Sequence, residues 1–136
     1  MSSYNDSIID EFRANEGKVG GSFTGMPLLL ITSTGAKSGR PHTTPVTYRV
    51  DGDRWLVFAS AAGAPTNPAW YHNLVAHPDA VIEVGADTVE VTAVVTEPAE
   101  RDRLFAEQVR DVPRFGEYQE KTSRVIPVVA LERRRG

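Results

Sequence analysis

Cysteine is absent from this 136-residue chain, which removes disulfides, thiolate nucleophiles and cysteine-based zinc sites together. Long apolar runs are missing as well. No stretch approaches the roughly 20 residues that a membrane-spanning helix needs, and the N-terminus lacks a basic region followed by an apolar one. A cytoplasmic protein is the expectation. Positive charge is not in excess either: 15 Lys and Arg stand against 18 Asp and Glu, a net charge of -3, whereas a general nucleic-acid binder carries a basic footprint. No internal repeat, low-complexity tract or compositional shift divides the chain, so residues 1–136 are expected to form one domain with a substantial core.

What is present centres on residues 28–48, LLLITSTGAKSGRPHTTPVTY. This stretch reads as a buried strand over 28–34, a sharp basic turn over 35–41, and a second extended segment from about His42. Gly35 and Gly39 bracket Lys37 and Ser38, so amide groups, an ammonium and a hydroxyl can converge on one point, which is the chemistry of an anion seat. The same residues also suit an ordinary solvated hairpin turn.

Residues 1–19 read as a short amphipathic helix with Ile8, Ile9 and Phe12 on one face and Gly17 at its end. That face can dock on the core, cover a ligand site or touch a membrane surface. Residues 20–27, with three glycines and a proline, read as a connector or binding loop. Beyond the basic turn come strands at 44–50 and 54–59 joined by Asp51-Gly52-Asp53. The small-residue loop 60–66 leads to a helix through Ala76, with Asn67 as N-cap and Pro68 at its first position. A hairpin over 80–96, helices at 99–109 and about 115–121 separated by Pro113, and a last strand at 126–131 complete the pattern. About six mostly antiparallel strands with inserted helices imply an α+β, partly open β-barrel, because the tight links between the first three strands leave no room for parallel crossovers.

Several catalytic patterns fail. Lys37 follows Ala36 where a Walker A loop needs glycine, no Gly-x-Ser-x-Gly elbow occurs, and His42, His72 and His77 form no His-Glu-x-x-His motif. No metal site is expected. What remains is a bound ligand that brings its own chemistry while the protein supplies position and electrostatics.

A series in consistent order then carries a resemblance: Phe12-Arg13-Ala14-Asn15, Val19-Gly20-Gly21, Leu28-Leu29-Leu30, Gly35-Ala36-Lys37-Ser38-Gly39, Thr44-Pro45-Val46, Ala59-Ser60, Gly63-Ala64-Pro65, the run from Asn67 to Leu74, His77-Pro78, Glu117-Tyr118-Gln119 and Ile126-Pro127-Val128. Across nearly the whole chain this resembles the deazaflavin-dependent nitroreductase family. The resemblance implies a split β-barrel of the FMN-binding kind and the 5-deazaflavin coenzyme F420. It implies that Ala36, Lys37 and Ser38 hold the coenzyme's phosphate. The ring and ribityl chain would lie along His42, Thr43, Thr44, Pro45, Val46 and Thr47 and along Phe58, Ala59, Ser60 and Ala61. Ala69, Trp70, Tyr71, His72 and Asn73 would close one side, with Trp70 also suited to filling the barrel mouth.

Ser60 is expected to border the reactive face, with Tyr118 and Phe115 near the acceptor. Two positions depart from the family pattern. His42 stands where relatives carry an arginine, which puts a shorter donor beside the anionic tail. Phe115 stands where nitroimidazole-reducing members carry a tyrosine, which removes a hydroxyl. The implied activity is hydride transfer from reduced coenzyme F420 to an electron-poor acceptor: a quinone, an activated enone or a nitroaromatic. An FMN-dependent oxidoreductase and a non-catalytic deazaflavin-, flavin- or heme-binding protein are the alternatives. The oligomeric state and the physiological acceptor stay open.

Overall fold

The computed structural model describes residues 4–18 and 27–134. Apart from Pro27, the glycine-rich connector lies outside the described residues, as does Arg135. The elements run α1 (Tyr4–Ala14), β1 (Leu28–Thr34), β2 (Pro41–Asp51), β3 (Arg54–Phe58), α2 (Ala69–Ala76), β4 (Asp79–Val84), β5 (Asp87–Val95), α3 (Pro98–Asp111), α4 (Arg114–Glu120) and β6 (Val128–Arg133), with a 3₁₀ turn at Ala61–Gly63.

The strands close into a barrel in the order β1-β2-β3-β6-β5-β4, and each neighbouring pair is antiparallel. The partly open barrel expected from sequence is thus corrected to a closed one. Closure comes from two distant pairings: β6 inserts between β3 and β5, and β4 returns to β1 with Ile31 opposite Ile82. Full closure leaves no unpaired edge to attract another strand.

The apolar run of β1 follows from burial on both faces. Leu29 and Ile31 point into the barrel, where Val57, Ile82, Val91, Val129 and Leu131 meet them. Leu28 and Leu30 point outward and are covered by Ile8, Ile9 and Phe12 of α1. Strand periodicity of two assigns alternate residues to these two cores. β3 and β6 behave alike, with Leu56, Phe58, Val128 and Ala130 facing α3 and α4 through Leu104, Phe105 and Phe115. Each of these large side chains contributes roughly 1.5–3 kcal/mol of burial.

α1 ends at Ala14, earlier than Gly17. Glu16 (φ +54) and Gly17 (φ +96) turn the chain, the Gly17 amide donates to Phe12 O at 2.8 Å, and Arg13 grips Glu83 of β4 through two hydrogen bonds of 3.0 and 2.9 Å. α2 corrects the expected cap. Pro68, at φ −67 and ψ 156, holds the N-cap position with no side-chain cap, and the Asn67 side-chain oxygen Oδ1 accepts instead from Arg124 Nη1 at 2.6 Å. Trp70 and Leu74 of α2 join the barrel-interior cluster and plug one end of the barrel.

Candidate functional site

Beside that plugged end, the turn from Gly35 to Arg40 joins β1 to β2. It is built from within: the Gly35 amide donates to Arg40 O (2.7 Å) and the Gly39 amide to Gly35 O (3.0 Å), while the Arg40 amide donates to Ser38 Oγ (3.2 Å). Gly39 takes φ +70, the left-handed region that favours glycine. Gly35 is required for a different reason. A β-carbon there would run into Ser38 Oγ and lie 2.9 Å from His42 Nε2.

Asn73 of α2 fastens this turn to the barrel. Its Oδ1 accepts from the Ala36 amide at 2.9 Å, and its Nδ2 donates to Ser33 Oγ at 3.2 Å. Asn73 and Ser33 are only 8 % and 2 % exposed, so both ends of the amide are satisfied in a water-poor setting. The bond to Ala36 orients the next peptides outward. None of the hydrogen bonds among the described residues uses the Lys37 or Ser38 amide, and both side chains are exposed.

A groove of about 980 Å³ opens from this turn. It brings together Ala36, Lys37, Ser38, His42, Thr43, Thr44, Ala69, Trp70, His72 and Asn73 of the residues expected from sequence, and adds Asp6, Gly35 and Pro41. Along it, the Thr43 hydroxyl shares a 2.8 Å hydrogen bond with Thr32, and His42 Nε2 lies 3.4 Å from Ser38 Oγ. Among the described residues, no group of three or more His, Cys, Asp or Glu side chains is placed to hold a metal ion.

The other expected residues lie apart from the lining of this groove. Pro45, Val46 and Thr47 continue β2 opposite Leu30, Leu29 and Leu28, and Val46 packs on the barrel interior. Tyr71 meets His72 edge-on at 5.7 Å. Phe58, Ala59 and Ser60 are buried, while Ala61 is exposed with φ +46. Phe115, expected near the acceptor, is a core residue. At 3 % exposure its ring sits edge-on to Phe58 (5.5 Å) and to half-buried Tyr118 (5.4 Å), so it fills space between β3 and α4.

Sequence reasoning missed Arg124. Its guanidinium spans Ala59, Ser60, Ala64 and Asn67, yet a lone arginine in a polar loop carries no periodic signal. Asp6 reads from sequence only as a candidate N-cap of α1, alongside Asn5, and nothing local signals its place on the groove lining.

A closed antiparallel barrel of six strands, with an exposed glycine-bracketed turn opening onto a groove, defines the split-barrel class of folds. Solved structures with little sequence similarity share the fold, among them a heme storage protein from Vibrio cholerae at 16 % identity, with a TM-score of 0.60 over 94 % of this chain and 89 % of the other. Closer in sequence is an F420-H2 dependent reductase, 36 % identical with a TM-score of 0.70, covering 78 % of this chain and 94 % of that one. The F420H(2)-dependent quinone reductase of Mycobacterium tuberculosis is 43 % identical over 127 residues, 90 % of this chain and 85 % of that protein. The F420H(2)-dependent quinone reductase family model matches residues 7–133, and the chain belongs to that family. It is an oxidoreductase, and its cofactor is coenzyme F420.

The residues present fit such a cofactor. Gly35 keeps the base of the turn free of a β-carbon, the turn's tip carries unpartnered amides beside the exposed Lys37, and the groove of about 980 Å³ has room for a bound molecule.

Proposed function

We propose that this chain reduces a quinone at the expense of reduced coenzyme F420, with the phosphate on the 36–38 turn in the groove and the ring beyond the groove's lining, toward Ser60. The observation that carries this reading is the turn, whose Ala36 amide is consumed by buried Asn73 while those of Lys37 and Ser38 remain for an anion. Two adjacent amides with a lysine ammonium form a nest suited to a phosphate. When bound, the coenzyme supplies a hydride from its reduced 5-deazaflavin ring to the electron-poor acceptor.

The chain's own residues bind, orient and exclude water. Trp70, 7 % exposed, walls the groove with its indole and closes the barrel end beneath it. Small side chains at Ala59, Ser60 and Ala61 leave space for a planar ring to approach the end of β3. Tyr118 is the candidate to border the acceptor, because Phe115 is committed to the core.

The test is Lys37→Ala in a fluorescence titration with the coenzyme. A charge-assisted hydrogen bond of roughly 1.5–3 kcal/mol corresponds to about one to two decades in affinity. Weakening by tenfold or more supports the seat, and unchanged affinity moves the phosphate elsewhere.

A further inference from the structure

Arg124 takes no part in the groove, yet it is the most heavily bonded side chain near the proposed ring end. From the loop between α4 and β6 its Nε donates to Ala64 O (2.9 Å). Nη1 donates to Ala59 O (3.0 Å) and to Asn67 Oδ1 (2.6 Å), and Nη2 to Ser60 O (2.8 Å). Each acceptor is a neutral oxygen, and burial lowers the guanidinium's pKa from its ordinary value, although an arginine in a protein remains charged.

The loop that carries Arg124 is itself held from behind. Gln119 of α4 donates through Nε2 to Arg124 O (2.6 Å), and its Oε1 accepts from the Ile126 amide (3.1 Å) and from Arg101 Nη2 (2.8 Å). Arg101 of α3 donates to Ile126 O at 2.9 Å and lies 4.3 Å over the Phe105 ring. An unbroken series of hydrogen bonds therefore links α3 and α4 to the segment from Ala59 to Asn67.

That segment needs such support. Ala61 holds φ +46, a sparsely populated region for a residue with a β-carbon, which persists only where the surroundings over-determine it. Gly63, at φ +85, lies so close to α4 that a β-carbon would sit 2.9 Å from Tyr118 O and from Lys121 Cβ. Arg124 holds both ends of the segment, through Ala59 and Ser60 where it leaves β3 and through Ala64 and Asn67 at the other end.

We infer that Arg124 is a positioning residue: its fork locks residues 59–67 into the wall against which the coenzyme ring is placed. This rests on the proposed location of the ring. Lysine cannot replace it, since one ammonium cannot span the backbone oxygens of Ala59, Ser60 and Ala64 as a planar fork does.

Arg124→Ala and Arg124→Lys test this through two readouts. Hydrogen exchange on the coenzyme-free protein should show amides of 60–67 losing protection in Arg124→Ala while β1, β3 and β6 keep theirs. Coenzyme titration should show at least tenfold weaker binding. Millimolar guanidinium chloride should recover much of that loss, and sodium chloride at the same ionic strength should not. Should Arg124→Ala fail to fold, Arg124→Lys carries the test, with severalfold weaker binding expected because the charge is kept and the fork is lost. Wild-type affinity in the folded variant overturns the inference. So does a loss of affinity that accompanies loss of strand protection and ignores guanidinium, since that is general destabilisation. Wild-type protein that fails to bind the coenzyme counts against the proposed site. A wild type that binds beside an Arg124→Ala that binds equally overturns the role of Arg124 alone.

Discussion

Asn73 carries more of the site than any residue that faces solvent, because its amide joins Ser33 at the end of β1 to the peptide that begins the anion turn. Asn73→Asp keeps an acceptor for Ala36 but loses the donor to Ser33 and places a negative charge behind the phosphate seat. The Ser33 hydroxyl can turn to donate to the second carboxylate oxygen, but burying that charge is unfavourable, so a lower urea midpoint is expected, and coenzyme affinity should fall further than in Asn73→Ser. Equal affinities in the two variants would contradict the phosphate placement. Gly35→Ala is the complementary change. Its methyl must displace Ser38 Oγ or His42, both at the edge of the seat, so severalfold weaker coenzyme binding is expected with little change in thermal midpoint. A large thermal loss with normal binding would make Gly35 a structural glycine only.

At the scale of elements, α1 has spent its apolar face. Ile8, Ile9 and Phe12 are covered by Leu28 and Leu30, which favours docking over the lid or membrane roles that the sequence allowed, and among the described residues no helix is long and apolar enough to cross a membrane. Phe12 is 1 % exposed, so Phe12→Ala should cost about 3–5 kcal/mol, read from urea unfolding; less than 1 kcal/mol would mean that α1 is only loosely seated. The C-terminal end of α3 gives a pH dependence. Arg110, and next Arg49, hold the Asp111 carboxyl below its ordinary pKa. A folded value below the unfolded one gives stability that is present above the ordinary carboxylate range and is lost as pH falls through the folded value. Asp111 is solvent-exposed there, so the effect is small: Asp111→Asn should slightly flatten the acid limb of the stability profile and leave neutral stability nearly unchanged. The hairpins were legible because their turns are local, as at Gly52, which takes φ +64 between Asp51 and Arg54. Asn67 was misread as a cap because its partner, Arg124, lies 57 residues away, beyond any local pattern. The burial of Phe115 was not legible for a related reason: its aromatic neighbour Phe58 on β3 is distant in sequence, so spacing could not show that its ring is enclosed.

Across the whole molecule, closure of the barrel was the part the sequence concealed, since β6 must find β3 and β5, and β4 must find β1, through pairings of long sequence separation. Local turns and alternation pointed to the fold class, and the turn at 35–40 was legible because its residues are consecutive. The groove was not, because α2 brings Trp70, His72 and Asn73 to that turn only once the barrel has formed. The closed barrel also separates the two proposed parts of the site: β1, β2 and α2 build the end proposed for the phosphate, while β3, α3 and α4 support the segment proposed to receive the ring. Lys37 and Arg40 are exposed at the phosphate end, where they can meet the carboxylates of the coenzyme's tail, which FMN lacks. Such contacts are screened by salt and individually weak. The most direct test is anaerobic mixing of the purified protein with a soluble quinone and either reduced coenzyme F420 or reduced FMN, at low and high ionic strength, following the return of the oxidised cofactor's absorbance. The expected result is catalysed oxidation of the reduced deazaflavin without oxygen, saturating at lower concentration than FMN, with a preference that narrows as salt rises. Equal or tighter use of FMN, or no quinone-dependent oxidation of the reduced deazaflavin, would contradict it.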